Sequence, residues 1–231
     1  MLRLVLLPGM DGTGDLFRDF VHALPENFEI KIVRYPTDSS LPYSELTDFV
    51  KSATDLSEPY VLIAESFSAP LAIQWAATNP PNLRGLALCA GFATSPVRGL
   101  WGFACSLLGP IFFSTIFPKW AIELFLVGPN ASPSLVAAVR AAISSVLPKV
   151  LSARVRAILN CDARAELSRV AVPVLLLQPK QDRLISGFSL REIRRIIPGA
   201  AVEIIDGPHL LLQREPHATA DIVARFARYL M

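Results

Sequence analysis

Hydrophobic and polar positions along the 231 residues fall into two alternating kinds of segment. Short runs rich in Val, Ile and Leu occur at Leu2–Leu7, Glu29–Arg34, Tyr60–Ala64, Gly85–Cys89, Val172–Gln178 and Ala201–Ile205. They have strand length, and several are apolar at every position, as strands buried on both faces must be. Between them, apolar residues recur at helical spacing near Asp15–Leu24, Tyr43–Thr54, Phe67–Thr78, Ser189–Ile197 and Pro216–Tyr229. Strand alternating with helix predicts right-handed β-α-β crossovers and a parallel sheet covered on both sides. The rhythm breaks once, between Cys89 and Val172, where about eighty residues hold no convincing strand.

Within that stretch Pro and Gly separate helix-length apolar runs, which predicts a helical insertion rather than a linker. Gly99–Leu151 carries only four formally charged residues: Lys119, Glu123, Arg140 and Lys149. Seven of the twenty aromatic residues fall within positions 101–125. They can form the insertion's own core and its seam with the sheet. They can also line an apolar pocket, because an insertion after a strand's carboxyl end sits over the usual ligand crevice. Trp101, Phe112, Phe113, Phe117 and Trp120 are the pocket candidates. The uncharged run Gly99–Pro118 is twenty residues long, enough to span a bilayer. Gly99, Gly102, Gly109, Pro110 and Pro118 interrupt it and the α/β pattern continues on both sides, so no stable membrane span is expected.

Composition narrows the class further. Charged residues make up 18% of the chain, against about 25% in an average soluble domain. Hydrophobic residues reach 52% and mean hydropathy is +0.43. These values exclude a disordered chain, a coiled coil and a nucleic-acid-binding arm. The net charge of +2 points to no polyanionic partner, and no nucleic acid is expected. Cys89, Cys105 and Cys161 are odd in number and far apart, which supports neither a disulfide framework nor a zinc site. The opening Met1–Leu7 resembles a signal sequence only superficially, since the apolar run ends at Pro8-Gly9 without a small-residue cleavage site. A buried first strand and a cytoplasmic chain are the expectation; oligomeric state stays open.

The strand at Tyr60–Ala64 runs into Ala64-Glu65-Ser66-Phe67-Ser68 and then a helical run. A serine on a sharp strand-to-helix turn is held out of the sheet with its hydroxyl exposed, and the residues two before and two after it must be small. Ala64 and Ser68 meet that requirement, although a serine that merely caps a helix fits the same local pattern. Asp182 lies just past the strand at Val172–Gln178, and His209 lies in the corresponding place after Ala201–Ile205. In a parallel sheet all strand carboxyl ends share one edge, so Ser66, Asp182 and His209 converge there in the order nucleophile, acid, base. His22 and His217 sit in helices and are read as structural or solvated. The loop Pro8-Gly9-Met10-Asp11-Gly12-Thr13-Gly14 follows the first strand without a P-loop lysine or a G-x-G-x-x-G spacing. It fits an oxyanion hole in which the N–H groups of Met10 and Phe67 point at one spot near Ser66. Asp11 is assigned no chemistry.

These motifs resemble the α/β-hydrolase fold serine hydrolases over nearly the whole chain, most of all in Val172-Pro173-Val174-Leu175-Leu176-Leu177, the Asp182 loop, Ile197-Pro198-Gly199-Ala200 and Gly207-Pro208-His209. The opening loop and Ala64–Ser68 are also similar to the plant esterase/lipase/thioesterase group. The resemblance implies Ser66 as nucleophile, Asp182 as acid, His209 as base, and the Met10 and Phe67 amides as the oxyanion hole, with no cofactor. It further implies a hydrolase core over residues 1–91 and 165–231 with a helical cap over 92–164. The chain departs from the usual pattern in having Pro8-Gly9 where the family has His-Gly and in lacking both glycines around the nucleophile. It also starts at what the family counts as a third strand, so a six-stranded, all-parallel sheet with helices on both faces is expected. The expected activity is hydrolysis of a small ester with an apolar acyl or alcohol group. Thioester hydrolysis or acyl transfer on the same residues is the alternative, and a slowly turning-over binding module is a third. Ser66 argues against dehalogenase and epoxide-hydrolase chemistry, which on this fold need aspartate there. Arg154, Arg156, Arg164 and Arg169 are read as a solvated face, with a phosphate-bearing carrier as their other use.

Overall fold

Six strands pair side by side in parallel: β1 (Arg3–Leu7), β2 (Glu29–Ile32), β3 (Tyr60–Glu65), β4 (Leu83–Cys89), β5 (Val174–Pro179) and β6 (Ala201–Ile205). Their order across the sheet is β2-β1-β3-β4-β5-β6. The structure is a computed structural model that describes residues 2–54, 57–97 and 118–230. Helices α1 (Arg18–Ala23), α2 (Tyr43–Thr54) and α3 (Ala69–Ala76) connect the first four strands. Between β4 and β5 lie α4 (Lys119–Ile122), α5 (Pro133–Ser144), α6 (Pro148–Leu159) and α7 (Arg164–Leu167); α4 runs on as a π-helical turn over Glu123–Val127. Helix α8 (Gly187–Ile196) joins β5 to β6, and α9 (Leu211–Arg214) and α10 (Pro216–Tyr229) close the chain.

Side chains alternate between the two faces of the sheet. Val5, Leu7, Leu62, Ala64, Leu86, Leu88, Val174 and Leu176 pack against α2, α3 and Ile193 of α8. Leu4, Leu6, Val61, Ile63, Ala87, Cys89, Leu175 and Leu177 face α1, α9 and α10 on the other side. The period of two puts successive residues on opposite layers, and both layers are buried. All six residues of β3 and of β5 are therefore buried, as their unbroken apolar runs predict. The edge strands β2 and β6 are partly exposed.

Three of the boundaries that differ from the sequence expectation have a visible cause. Strand β4 starts two residues early, at Leu83, because Leu83 pairs with Tyr60 and the Tyr60 N–H donates to Asn82 O at 2.9 Å. Strand β5 starts late, at Val174, because Pro173 has no N–H and contributes only its carbonyl, which accepts from Leu86 N at 3.0 Å. The helix after Ser66 opens as a tight turn over Ser66–Ser68 and stops at Ala76, with Asn79 left-handed (φ 52°) ahead of Pro80-Pro81.

An antiparallel bridge between Thr94 and Asp162 ties the two ends of the insertion together. Ala163 N donates to Ala93 O at 2.8 Å, and Ser95 N donates to Cys161 O at 3.2 Å. Inside the insertion Ile122, Val127, Val136 and Val139 form a separate core that includes Leu210 of the loop after β6. The uncharged run Gly99–Pro118 lies outside the described residues except for Pro118. Among the described residues no single helix is long and apolar enough to cross a membrane; α5 and α6 meet that length only as a pair bent by 96°.

Candidate active site

The sharp turn after β3 is made by Ser66 itself. Its φ is 49°, in the left-handed region that costs a non-glycine residue about 1–3 kcal/mol. The turn is tolerated because what surrounds it is small and fully packed: Ala64 and Ser68 are both completely buried. Ser66 Oγ lies 2.9 Å from His209 Nε2, and His209 Nδ1 lies 2.8 Å from Asp182 Oδ2. The other carboxylate oxygen, Asp182 Oδ1, accepts from the N–H groups of Leu184 (2.8 Å) and Ile185 (2.9 Å). With the carboxylate accepting at Nδ1–H, Nε2 is free to accept from the serine hydroxyl. The Asp182 and His209 loops are laced together by Lys180 N to Ile205 O (2.8 Å) and Gln181 N to Gly207 O (2.9 Å). The side chains of His209 and Asp182 are almost wholly buried, at 5% and 1% exposure, so their mutual orientation is held without competing water. Ser66, Asp182 and His209, 116 and 27 residues apart in sequence, are thus joined in one hydrogen-bonded chain at the carboxyl edge of the sheet.

The loop after β1 lies across from this chain. The Gly12 N–H closes a turn onto Gly9 O at 3.0 Å, and Asp11 Oδ2 accepts from the Thr13 N–H (2.9 Å) and the Thr13 hydroxyl (2.5 Å). Asp11 therefore orients the loop. Gly12 and Gly14 have φ near +72° and +73°, and a Cβ on Gly14 would lie 2.4 Å from Ile32 Cγ2, so the turn requires glycine there. The Met10 N–H has no acceptor among the described residues, and the Phe67 N–H belongs to the first turn of the helix, where no carbonyl is available to it. Loop and serine turn are bonded to each other: Ser68 Oγ donates to Pro8 O and accepts from Tyr35 Oη at 2.7 Å. Tyr43 Oη donates to Phe67 O at 3.0 Å, and its ring stacks on Phe67 with centroids 5.0 Å apart.

Several further groups at or near the site have properties that the sequence did not show. Glu65 is 1% exposed and accepts from Gln213 Nε2 at 3.2 Å, while Glu65 Oε1 and Gln213 Oε1 have no partner. Burial pushes its carboxyl up to about 8, with the Asp11 charge adding to the rise and the Gln213 amide opposing it. A protonated carboxyl is a donor as well as an acceptor. Burial likewise raises the phenols of Tyr35 and Tyr43 and holds the Cys89 thiol up; Cys161 is pushed up to about 12. Arg154 corrects the sequence reading. It is 2% exposed rather than part of a solvated face, whereas Arg156, Arg164 and Arg169 are exposed, the last two paired with Asp162 and Glu166. A buried arginine cannot be told from a surface one by charge pattern; the signal available was its helical spacing from Val150 and Leu151 on the apolar face of α6.

An apolar cavity of about 290 Å³ opens at Ser66 and His209. Leu16, Phe92, Val139, Ile143, Ile158 and Leu210 line it together with Met10 and Asp11. Of the aromatic residues expected to line a pocket, Trp101, Phe112, Phe113 and Phe117 lie outside the described residues. Trp120 is 64% exposed and does not reach the cavity; it sits on the outward side of α4, while Ala121 faces inward. Among the described residues of this part of the chain, Phe125 is the aromatic residue that lines it. No cluster of three or more His, Cys, Asp or Glu that could hold a metal occurs among the described residues.

A parallel six-stranded sheet with a serine turn after the third strand is the arrangement of a hydrolase. The chain matches the alpha/beta hydrolase family over residues 4–222 and belongs to it. Among curated proteins it is similar to a pimeloyl-[acyl-carrier protein] methyl ester esterase of Neisseria meningitidis (serogroup A), 24% identical over 221 residues that cover 88% of this chain and 69% of that protein. Among solved structures it superposes on a hydrolase from Oleispira antarctica with a TM-score of 0.84 at 15% identity, covering 98% of this chain and 90% of that one. The enol-lactonase from Burkholderia xenovorans LB400 gives 0.82 at 17% identity, with 98% and 91% covered. The sequence relatives are esterases, and a hydrolase is what the fold and the relatives support together.

Proposed function

We propose that this chain is a serine carboxylesterase that hydrolyses small esters carrying an apolar acyl or alcohol group. The observation that carries this reading is the chain of hydrogen bonds Ser66–His209–Asp182 opening onto an apolar cavity. In this mechanism His209 Nε2 takes the proton as Ser66 Oγ attacks the ester carbonyl. The bond formed is Oγ–C, and the carbonyl oxygen becomes an oxyanion met by the Met10 and Phe67 N–H groups. Collapse of the tetrahedral species breaks the C–O bond to the alcohol, which leaves with the proton from His209. Water then attacks the acyl-serine with His209 again as base, releasing the acid and restoring Ser66. Asp182 holds the imidazole in the required tautomer and stabilises the imidazolium. The insertion over residues 92–164 serves as a cap, since α5 and α6 supply Val139, Ile143 and Ile158 to the cavity. A lining whose polar side chains, among the described residues, are Asp11, Ser66 and His209 favours a hydrocarbon over a sugar or polyanion. The ester named for the Neisseria relative, a methyl ester of an acyl-carrier-bound group, falls within the same reaction class.

The test is hydrolysis of p-nitrophenyl esters of increasing acyl length by the wild type beside Ser66→Ala. Turnover with a length optimum, lowered roughly 10⁴–10⁶-fold in the variant, is the expected result. Matched thioesters in the same series separate the esterase from a thioesterase. Equal rates for wild type and Ser66→Ala on every substrate would refute the proposal and favour a binding module.

A further inference from the structure

Arg154 leaves α6 of the insertion and ends beneath the loop that follows β1. Its Nη1 donates to Met10 O at 2.8 Å and to Asp11 O at 2.7 Å, and its Nη2 donates to Pro36 O at 2.8 Å. The guanidinium carbon stands 5.8 Å from the ring centroids of both Tyr35 and Phe67. Among the described residues no carboxylate forms an ion pair with it. A buried cation bonded to carbonyl oxygens, with the Asp11 charge acting on it without a direct ion pair, is costly, and an apolar side chain of the same length would fill the space without that desolvation. What an apolar side chain cannot do is hold three carbonyls from two separate segments with one planar fork. The fit is close: a Cβ on Gly12 would lie 2.6 Å from Arg154 Nη1. Arg154 is also not among the residues that line the cavity, although its neighbours Val155 and Ile158 are. It therefore touches the loop and not the substrate.

We infer that Arg154 is a positioning residue for the oxyanion hole, supplied by the insertion to the hydrolase core. With the Met10 carbonyl held by the guanidinium and the turn closed by Gly12 N to Gly9 O, the backbone on both sides of Met10 is fixed. The Met10 N–H is left aimed at the place beside Ser66 Oγ where negative charge develops. The same guanidinium packs over Phe67, whose N–H is the second donor, so both donors are referenced to one side chain. Any displacement of α6 is transmitted to Met10 without passing through the substrate. This inference rests on the esterase reading above.

The experiment compares wild type, Arg154→Lys and Arg154→Met on the best p-nitrophenyl ester. It adds two inhibitors of matched chain length: a trifluoromethyl ketone, which Ser66 converts to a hemiketal oxyanion, and the corresponding alcohol, which only occupies the cavity. In Arg154→Met, kcat falls about 10²-fold with KM nearly unchanged, as expected for misaimed donors. The ketone weakens by the same factor while the alcohol binds as before. Arg154→Lys, with the charge but not the fork, recovers part of the loss, and it carries the comparison if the Met variant does not fold. Unchanged kcat and ketone affinity in both variants would overturn the inference alone. Equal weakening of ketone and alcohol would also overturn it, assigning Arg154 to the shape of the cavity. A wild type that neither turns over esters nor is labelled at Ser66 by a fluorophosphonate would remove the esterase reading, and this inference with it.

Discussion

Replacing Glu65 by Gln tests the most unusual group next to the serine turn. The carboxyl is fully buried, and its pKa is about 8 in the native state against 4.5 for an ordinary glutamate. Below pH 4.5 both folded and unfolded chains hold the proton, and the neutral acid keeps its full contribution. Between pH 4.5 and 8 the unfolded chain releases the proton while the native one keeps it, so the native state binds more protons and stability falls as pH rises. The slope is about 1.4 kcal/mol per pH unit in that window, and the loss is complete once pH passes about 8. From pH 5 to pH 7.5 the accumulated loss is about 3 kcal/mol. Glutamine is neutral throughout and can pair with Gln213 amide to amide, so Glu65→Gln escapes this loss. Asp11 and the protonated Cys89 thiol, the groups that face Glu65, are the same in both proteins. The assay is thermal unfolding of wild type and variant across pH 5–8. For a domain of this size the gap in Tm should widen by roughly 6–12 °C in favour of the variant as pH rises. Parallel Tm curves would refute the reasoning and mean that Glu65 is ionised in the native state.

Asp182→Asn should leave Tm nearly unchanged while lowering kcat on the order of 10⁴-fold, because the amide favours the tautomer of His209 that cannot accept from Ser66; a fully active variant would remove Asp182 from the mechanism. Tyr35→Phe leaves Ser68 without its buried donor and should cost about 1–2 kcal/mol in urea unfolding. An unchanged midpoint would show that the Tyr35–Ser68–Pro8 connection carries no stability. Ile143→Trp fills the cavity from α5 and should shift the ester optimum to shorter acyl chains, read from kcat/KM across the series. An unmoved optimum would place the acyl chain elsewhere.

Much of this site was legible before any coordinates. Ser66, Asp182 and His209 each follow a strand whose apolar run is unmistakable, and a parallel sheet obliges the ends of such strands to share an edge. The place of the loop Pro8–Gly14, after β1 at the same edge, could be read for the same reason. The neighbours of those residues were less legible. Tyr35 lies just past β2, a strand end like the others, but a tyrosine announces no chemistry until Ser68 is found 2.7 Å away. Trp120 looked like pocket lining because aromatic density says nothing of which side of a short helix faces in, and it faces out.

The amino-acid sequence by itself therefore determined the layered α/β architecture and which three side chains meet at the sheet edge. These follow from local rules: periodicity selects the element, burial on two faces selects the parallel sheet, and strand ends select the site. Only the tertiary structure decided that Arg154 is buried beneath Met10, that Glu65 holds a proton near neutral pH, and that Ser68 bonds the two loops together. Those outcomes depend on desolvation and on hydrogen bonds between residues as many as 148 positions apart, such as Gln213 and Glu65. Neither quantity exists until the chain has folded, so no pattern along it could have reported them.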